Sequence, residues 1–277
     1  MQTALTDEGY WDSIWNFTER NAAAPALEVD PSTRWRDAQI AAHLGPGKRF
    51  LEIGAGGSPW PAHVANKYQS EAWGIDFSRQ GLQLAARAVT CDRRLVHLVA
   101  GDFFDRSALP SGAFDVVYSA GFVEHFPEPL ELMRRVAELL KPGGVVVTTV
   151  PNLCGINGLM QRVLDVETYR RHVVIAPADL DAAHALGGLV PLRRARYVGV
   201  IDLSAVNYAS VAEKTSPLIL RTIQFAMSKL RAAGSVFDML THRDGGRWLA
   251  PMVGGVYGAT RSPDRGTRGL FPTPTPA

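Results

Sequence analysis

Between residues 49 and 152 the chain alternates five short apolar or β-branched runs with stretches of helical periodicity, and this alternation constrains the fold most. The runs cover residues 49–56, 71–78, 94–104, 114–121 and 143–152. Near-continuous Val, Ile and Leu marks strands buried on both faces, the signature of a parallel sheet covered by its own crossover helices. Two of the helices are explicit. Residues 78–87 open on Ser78, a good N-cap, and place Leu82, Ala85 and Ala86 on one face. Residues 129–140 line up Leu132, Val136, Leu139 and Leu140, then stop at Lys141-Pro142-Gly143-Gly144.

After Pro151 the pattern changes. Residues 177–190 read as a helix with a glycine stop, 191–203 as a strand, 204–247 as largely helical, and 248–261 as a last strand. If the two late strands pair antiparallel, the expected architecture is an α/β doubly wound, seven-stranded, mostly parallel sheet. A helical cap is then inserted between the last two strands. The Pro-, Gly- and Thr-rich residues 262–277 read as a flexible tail.

Composition bounds the function classes. A formal charge of +2 gives no ground for nucleic acid or an acidic surface as partner. Cys91 and Cys154 stand alone, with no metal-ligand spacing, so a reduced, cytoplasmic chain is expected. The N-terminus lacks the order of a signal peptide, and no apolar run approaches the roughly 18 residues of a membrane span.

The chemistry concentrates at the ends of the runs. The first ends in Glu52-Ile53-Gly54-Ala55-Gly56-Gly57, where a G-x-G turn lets the backbone approach a ligand closely. Asp76 ends the second run, where a carboxylate can accept hydrogen bonds from ribose hydroxyls. A dinucleotide site would place a third glycine or an alanine where this chain has Pro59. It would also have no use for Glu52. A nucleoside ligand that carries positive charge and no phosphate, such as S-adenosylmethionine (SAM), suits the acids better.

From residue 49 to 152 the sequence resembles the class I SAM-dependent methyltransferases, whose fold is Rossmann-like. The resemblance implies SAM as cofactor and S-adenosylhomocysteine (SAH) as product. It implies that Glu52, Gly54, Ala55 and Gly56 line the methionine part, that Asp76 holds the ribose, and that Phe77 lies beside the adenine. Asp102 and Phe103, after Gly101, resemble the motif that meets the adenine, and Ser119-Ala120-Gly121 the loop facing the methionine end. Leu140-Lys141-Pro142-Gly143-Gly144 matches a turn of the family and belongs to the scaffold.

Other residues leave two readings open. The aromatics of residues 10–15, Tyr10 and Trp15 among them, either close over the cofactor or pack on the rim of the domain. Trp35 and Trp60 are either core or pocket wall, with Trp60 placed nearer the site by the glycine turn. Glu124-His125 follows the fourth strand. His125 is either a general base or a shaper of the pocket. Some relatives bind a divalent ion with an E-x-x-E-H run, but Gly121 stands where the first Glu would be, so no metal is expected. His172, His184, Tyr169 and Tyr208 read more readily as packing or surface residues than as functional ones. Within 204–247 an amphipathic stretch carrying Arg221 and Lys229 is a lid, a membrane-surface helix or plain packing.

The organisation expected is therefore a helical segment (1–45) covering the cofactor site and a SAM-binding core (46–203). The insertion (204–247) is the substrate cap, followed by the last core strand (248–261) and the tail. The partner expected is a small, fairly apolar acceptor of secondary metabolism, with no nucleic acid and no stable membrane insertion. A membrane-associated acceptor, or SAM binding without catalysis, is the alternative, because a fold does not fix a function.

Overall fold

The computed structural model describes residues 4–21, 27, 30–90, 92–200, 202, 216, isolated positions between 222 and 236, and 244–259. Its strands are β1 (Arg49–Ile53), β2 (Glu71–Asp76), β3 (Val96–Ala100), β4 (Phe114–Ala120), β5 (Leu140–Pro151), β6 (Leu189–Val198) and β7 (Met252–Ala259). They form one seven-stranded sheet in the order β3-β2-β1-β4-β5-β7-β6. The contacts among β1 to β5 are parallel, and β7 runs antiparallel to both β5 and β6. The expected architecture is the one observed.

The helices are α1 (Glu8–Asn21), α2 (Pro31–Ala41), α3 (Trp60–Tyr68), α4 (Arg79–Ala86), α5 (Leu130–Leu139), α6 (Ile156–Leu164), α7 (Val166–Arg170) and α8 (Pro177–Leu186). A short helical turn, Gly246–Leu249, precedes β7. Alternation along β4 shows how the layers form. Val116 and Tyr118 face one apolar cluster with Ile40 of α2 and Val64 of α3, while Val117 faces the other with Leu132, Met133 and Val136 of α5 and Leu180 of α8. Each such side chain, fully buried, contributes about 1.5–3 kcal/mol relative to exposure.

Some boundaries differ from the expected ones, for local reasons. β3 is shorter than residues 94–104, because Asp92 caps a 3-10 turn over Arg93–Leu95 and Asp102 caps the amide of Phe104. β5 begins earlier than expected, at Leu140. Phe114 pairs with Leu140 and Val116 next with Val145, so Lys141-Pro142-Gly143-Gly144 is taken up as an irregularity within the pairing, with Gly143 at φ +79°. Ser78 caps α4 as expected, accepting from the Gly81 amide at 3.0 Å.

The insertion expected at 204–247 and the tail at 262–277 lie largely or wholly outside the described residues. Within the insertion, Thr222, Phe225, Ser228 and Lys229 are helical. Among the described residues no helix is long and apolar enough to cross a membrane.

The chain order reverses direction at β1, which has β2 on one side and β4 on the other. The chain runs from β1 to β2 and β3 on one side and crosses back from β3 to β4 on the other, so a crevice opens at the carboxyl ends of β1 and β4.

Candidate functional site

A cavity of about 440 Å³ fills that crevice. Its floor is the turn after β1. Gly54 sits at φ +74°, and a Cβ there would stand 2.9 Å from the Phe122 ring, so glycine is needed for both conformation and space. The Gly56 amide donates to Asp76 Oδ2 at 2.8 Å, and the Ser78 amide donates to Oδ1 at 2.8 Å. Both carboxylate oxygens keep lone pairs for a further donor. Burial nonetheless raises the pKa of Asp76, against those two bonds.

Glu52, on β1, is almost wholly buried. Its Oε1 accepts from Ser58 Oγ at 2.9 Å, and its Oε2 has no partner. Burial pushes its pKa up to about 8, against the Ser58 bond and the nearby charge of Arg36. An acid buried at a cavity wall with one oxygen unpaired is a ready acceptor for a cationic ligand.

The far wall is aromatic. Phe77 and Asp102 line it with Phe103 and Phe104, and the rings of Phe103, Phe104, Phe122 and Phe126 meet edge-on or tilted at 5.0–6.0 Å. That is a slot for a flat ring.

Helix α1 forms the roof. The Trp15 indole rests between the glycine turn and α4, where Cβ atoms on Gly56 and Gly57 of the turn or on Gly81 of the helix would come within 2.7–3.0 Å of it. Its Nε1 is buried without a partner. Trp11 stacks on Trp15 at 5.8 Å and meets the His125 ring edge-on at 5.3 Å. Ser78 Oγ donates to Asp12 Oδ1 at 2.6 Å, and the Leu5 amide donates to the His125 carbonyl, so the roof is tied down at two points.

A second cavity of about 310 Å³ adjoins the first. Trp11, Arg36, Ala120, Gly121 and His125 face both. Tyr10, Glu124, Leu153, Gln161, His172 and Met252 complete much of its wall. His125 Nδ1 lies 2.9 Å from the Arg171 carbonyl, and His172 Nδ1 lies 2.7 Å from the Thr168 carbonyl. A carbonyl accepts only, so each Nδ1 carries the hydrogen; the Gly121 carbonyl is a second acceptor beside the His125 ring. Burial lowers the pKa of both rings, that of His125 to about 4, and pushes Glu124 up to about 8.

Most of the residues picked from sequence meet here. Glu52, Gly54, Gly56, Asp76, Phe77, Asp102, Phe103, Ala120, Gly121, Trp15 and Trp60 line the first cavity. Three stand elsewhere. Ala55 is fully buried, with its methyl packed on Gly74, because the turn points it back into the sheet. Ser119 is buried beneath the wall, one residue before Ala120, on the opposite face of the pleat. Tyr10 belongs to the second cavity, with the Arg171 guanidinium 4.6 Å over its ring.

Trp35 packs against Gly254 in the core. His184 is fully buried, stacked on Tyr257 at 3.6 Å and bonded to Thr148 at 2.9 Å. Tyr169 lines neither cavity, and Tyr208 lies outside the described residues. Sequence reasoning passed over Arg36, Phe104, Phe122 and Phe126. Phe104 ends the third run and Phe122 and Phe126 follow the fourth closely, so they carry a signal; Arg36 carries none.

The sequence pattern of the methyltransferase-domain family matches residues 32–187, more than half of the chain. The chain belongs to the class I SAM-dependent methyltransferase family. SAM is accordingly the cofactor of this methyltransferase. It is 31% identical over 192 residues to the ubiquinone biosynthesis O-methyltransferase of Bordetella bronchiseptica, a match covering 61% of this chain and 76% of that one. It is 32% identical over 107 residues to the Vibrio parahaemolyticus enzyme of the same name, covering 38% of this chain but only 45% of that relative.

Among solved structures, phosphoethanolamine N-methyltransferase 2 of Haemonchus contortus superposes with a TM-score of 0.59 at 16% identity, over 94% of this chain and 61% of that one. The [4+2]-cyclase SpnF superposes with a TM-score of 0.58 at 14% identity, over 93% of this chain and 97% of that one. A cyclase among the structural neighbours shows that the likeness fixes the fold and leaves the reaction to the site.

Proposed function

We propose that this methyltransferase moves a methyl group from SAM to a hydroxyl oxygen of a small, largely apolar acceptor held in the second cavity. The observation that carries the reading is the shared wall, with Trp11, Ala120, Gly121 and His125 facing both cavities at once. Donor and acceptor so placed meet without solvent between them, which is most of what a methyl displacement requires.

When bound, SAM supplies a methyl carbon made electrophilic by its sulfonium. Glu52 Oε2 takes the ammonium of the methionine part. Asp76 accepts from the ribose hydroxyls, and the Phe77–Phe103 slot holds the adenine beside Asp102. Trp11 and Trp15 exclude water from above. Glu124, His125 and His172 stand in the second cavity, and the acceptor gives up its hydroxyl proton beside them. The choice of oxygen rests on the relatives, which carry the name O-methyltransferase.

The test is calorimetric titration of the protein with SAH, followed by incubation of methyl-labelled SAM with a panel of phenols and aliphatic alcohols. Micromolar SAH binding and label recovered as an ether are expected. Wild-type protein that is folded yet binds no SAH would refute the donor site, and label found only on nitrogen or carbon acceptors would refute the choice of oxygen.

A further inference from the structure

Helix α5 buries an arginine on its apolar face. Leu132, Val136 and Leu139 form the inward stripe, and Arg135 sits on it with 1% of its side chain exposed. Desolvation makes a charge costly there, and an apolar residue of similar volume is often as good or better for stability. What the guanidinium reaches is main chain. Arg135 Nε donates to the Phe103 carbonyl at 3.4 Å and Nη2 to the Leu109 carbonyl at 3.5 Å, while Nη1 meets Glu138 Oε2 at 3.5 Å.

Phe103 and Leu109 belong to the connection between β3 and β4, residues 101–113, which has no helix or strand of its own. Other contacts tie the same connection to α5. Arg106 pairs with Glu138 at 2.8 Å, and the Gly112 amide donates to the Glu138 carbonyl at 2.8 Å. The Arg106 pair is exposed and contributes little. Arginine alone among side chains spreads its donors widely enough to gather two carbonyls, whereas a lysine ammonium is a point donor.

The connection carries one wall of the first cavity. Asp102 and Phe103 line it, and Asp102 Oδ1 accepts from the Phe104 amide at 2.9 Å. The turn that orients the Asp102 carboxylate therefore closes around Phe103, whose carbonyl Arg135 holds from behind. Arg135 itself lines neither cavity.

We propose that Arg135 is a positioning residue for adenine recognition. Through the Phe103 carbonyl it fixes the turn that aims Asp102 at the 6-amino group of the adenine and sets the Phe103 ring against the ring face. This inference rests on the placement of adenine beside Asp102 in the Phe77–Phe103 slot, and adds what keeps that slot selective.

Calorimetry compares SAH with S-inosylhomocysteine, in which a carbonyl oxygen replaces the 6-amino group, on wild type, Arg135→Met and Arg135→Lys. Wild type should prefer SAH about tenfold or more, the scale of a hydrogen bond to a charged group. Arg135→Met keeps an apolar stem without donors and should cut that preference at least about threefold, chiefly by weakening SAH. Arg135→Lys can hold one carbonyl and should fall between the two. Amide exchange should accelerate at Asp105 and Ala108, whose amides bond within the connection, and stay unchanged in β1 and β5. A general loss of stability would leave the preference between the two ligands where it was. Folded variants that discriminate as wild type does would overturn the proposal. Loss of the fold in both variants would also overturn it, by making Arg135 a support of the whole domain. Wild type that binds both ligands equally would refute the placement of adenine beside Asp102, and the role of Arg135 would fall with it.

Discussion

Replacing Glu52 by Gln should make the free protein more stable at neutral pH and a weaker binder of cofactor. The glutamine amide has the shape of the protonated acid, so the substitution removes the ionisation and little else. The carboxyl has an ordinary pKa of 4.5 and a folded value of about 8, raised by burial. A raised folded value means the native state holds a proton that the unfolded chain has released. Stability from this group is therefore complete below pH 4.5 and is lost as pH rises towards 8. At pH 7 the loss is about 3 kcal/mol, at about 1.4 kcal/mol per pH unit between the two values.

Glu52→Gln escapes that loss. Thermal unfolding at pH 5, 6, 7 and 8 should show the variant gaining on wild type at each step, by about 5–10 °C at pH 7. Cofactor binding reverses the preference, because the ammonium favours the ionised acid. Calorimetry at pH 7 in buffers of different ionisation enthalpy should detect nearly one proton released when SAH binds wild type, and none from Glu52 in the variant. Affinity should fall about tenfold or more, the scale of a hydrogen bond to a charged group. Stability curves for the two proteins that run parallel from pH 5 to 8 would refute the reasoning.

Three further substitutions probe the same site. Asp76→Ala removes the acceptor for the ribose and should weaken SAH by about 1–3 kcal/mol in calorimetry, with circular dichroism unchanged. Gly54→Ala forces a side chain into φ +74° and against Phe122, and should cost about 1–2 kcal/mol in urea unfolding while also weakening SAH. Asp12→Ala cuts the bond to Ser78 at a net cost of about 1 kcal/mol. Amide exchange in α1 should accelerate and the SAH off-rate should rise, whereas unchanged exchange would mean the roof is held by its tryptophans alone.

The parallel part of the sheet was legible because each strand is a short apolar run bounded by glycines or a cap, with β1, β4 and β5 largely buried and β3 at the edge only half-buried. The glycine turn and Asp76 were legible for a similar reason: both lie at strand ends, where backbone geometry alone dictates residue type. Ala55 and Ser119 show the limit of reading a motif as a block. Each is next to a wall residue, yet the turn and the pleat send its side chain the other way. Arg36 escaped, and His172 was read as packing or surface, because their relation to the site is purely tertiary. Nothing local marks His172 as a neighbour of His125, and it is the loop after α7 that brings the two rings together.

The pairing of β6 with β7 has a consequence for how this protein can change. Val198, the last residue of β6, lies opposite Met252, the first of β7, and Met252 lines the second cavity. The two ends of residues 199–251 are thus fixed as neighbours by the sheet. Closing a longer or shorter loop between fixed ends changes its entropy only logarithmically, about 0.6 kcal/mol for each doubling. A change in the length of that connection therefore leaves β1, β2 and β4, which carry the first cavity, with the same neighbours in the sheet. The sheet thus holds the two ends of this connection in place whatever its length.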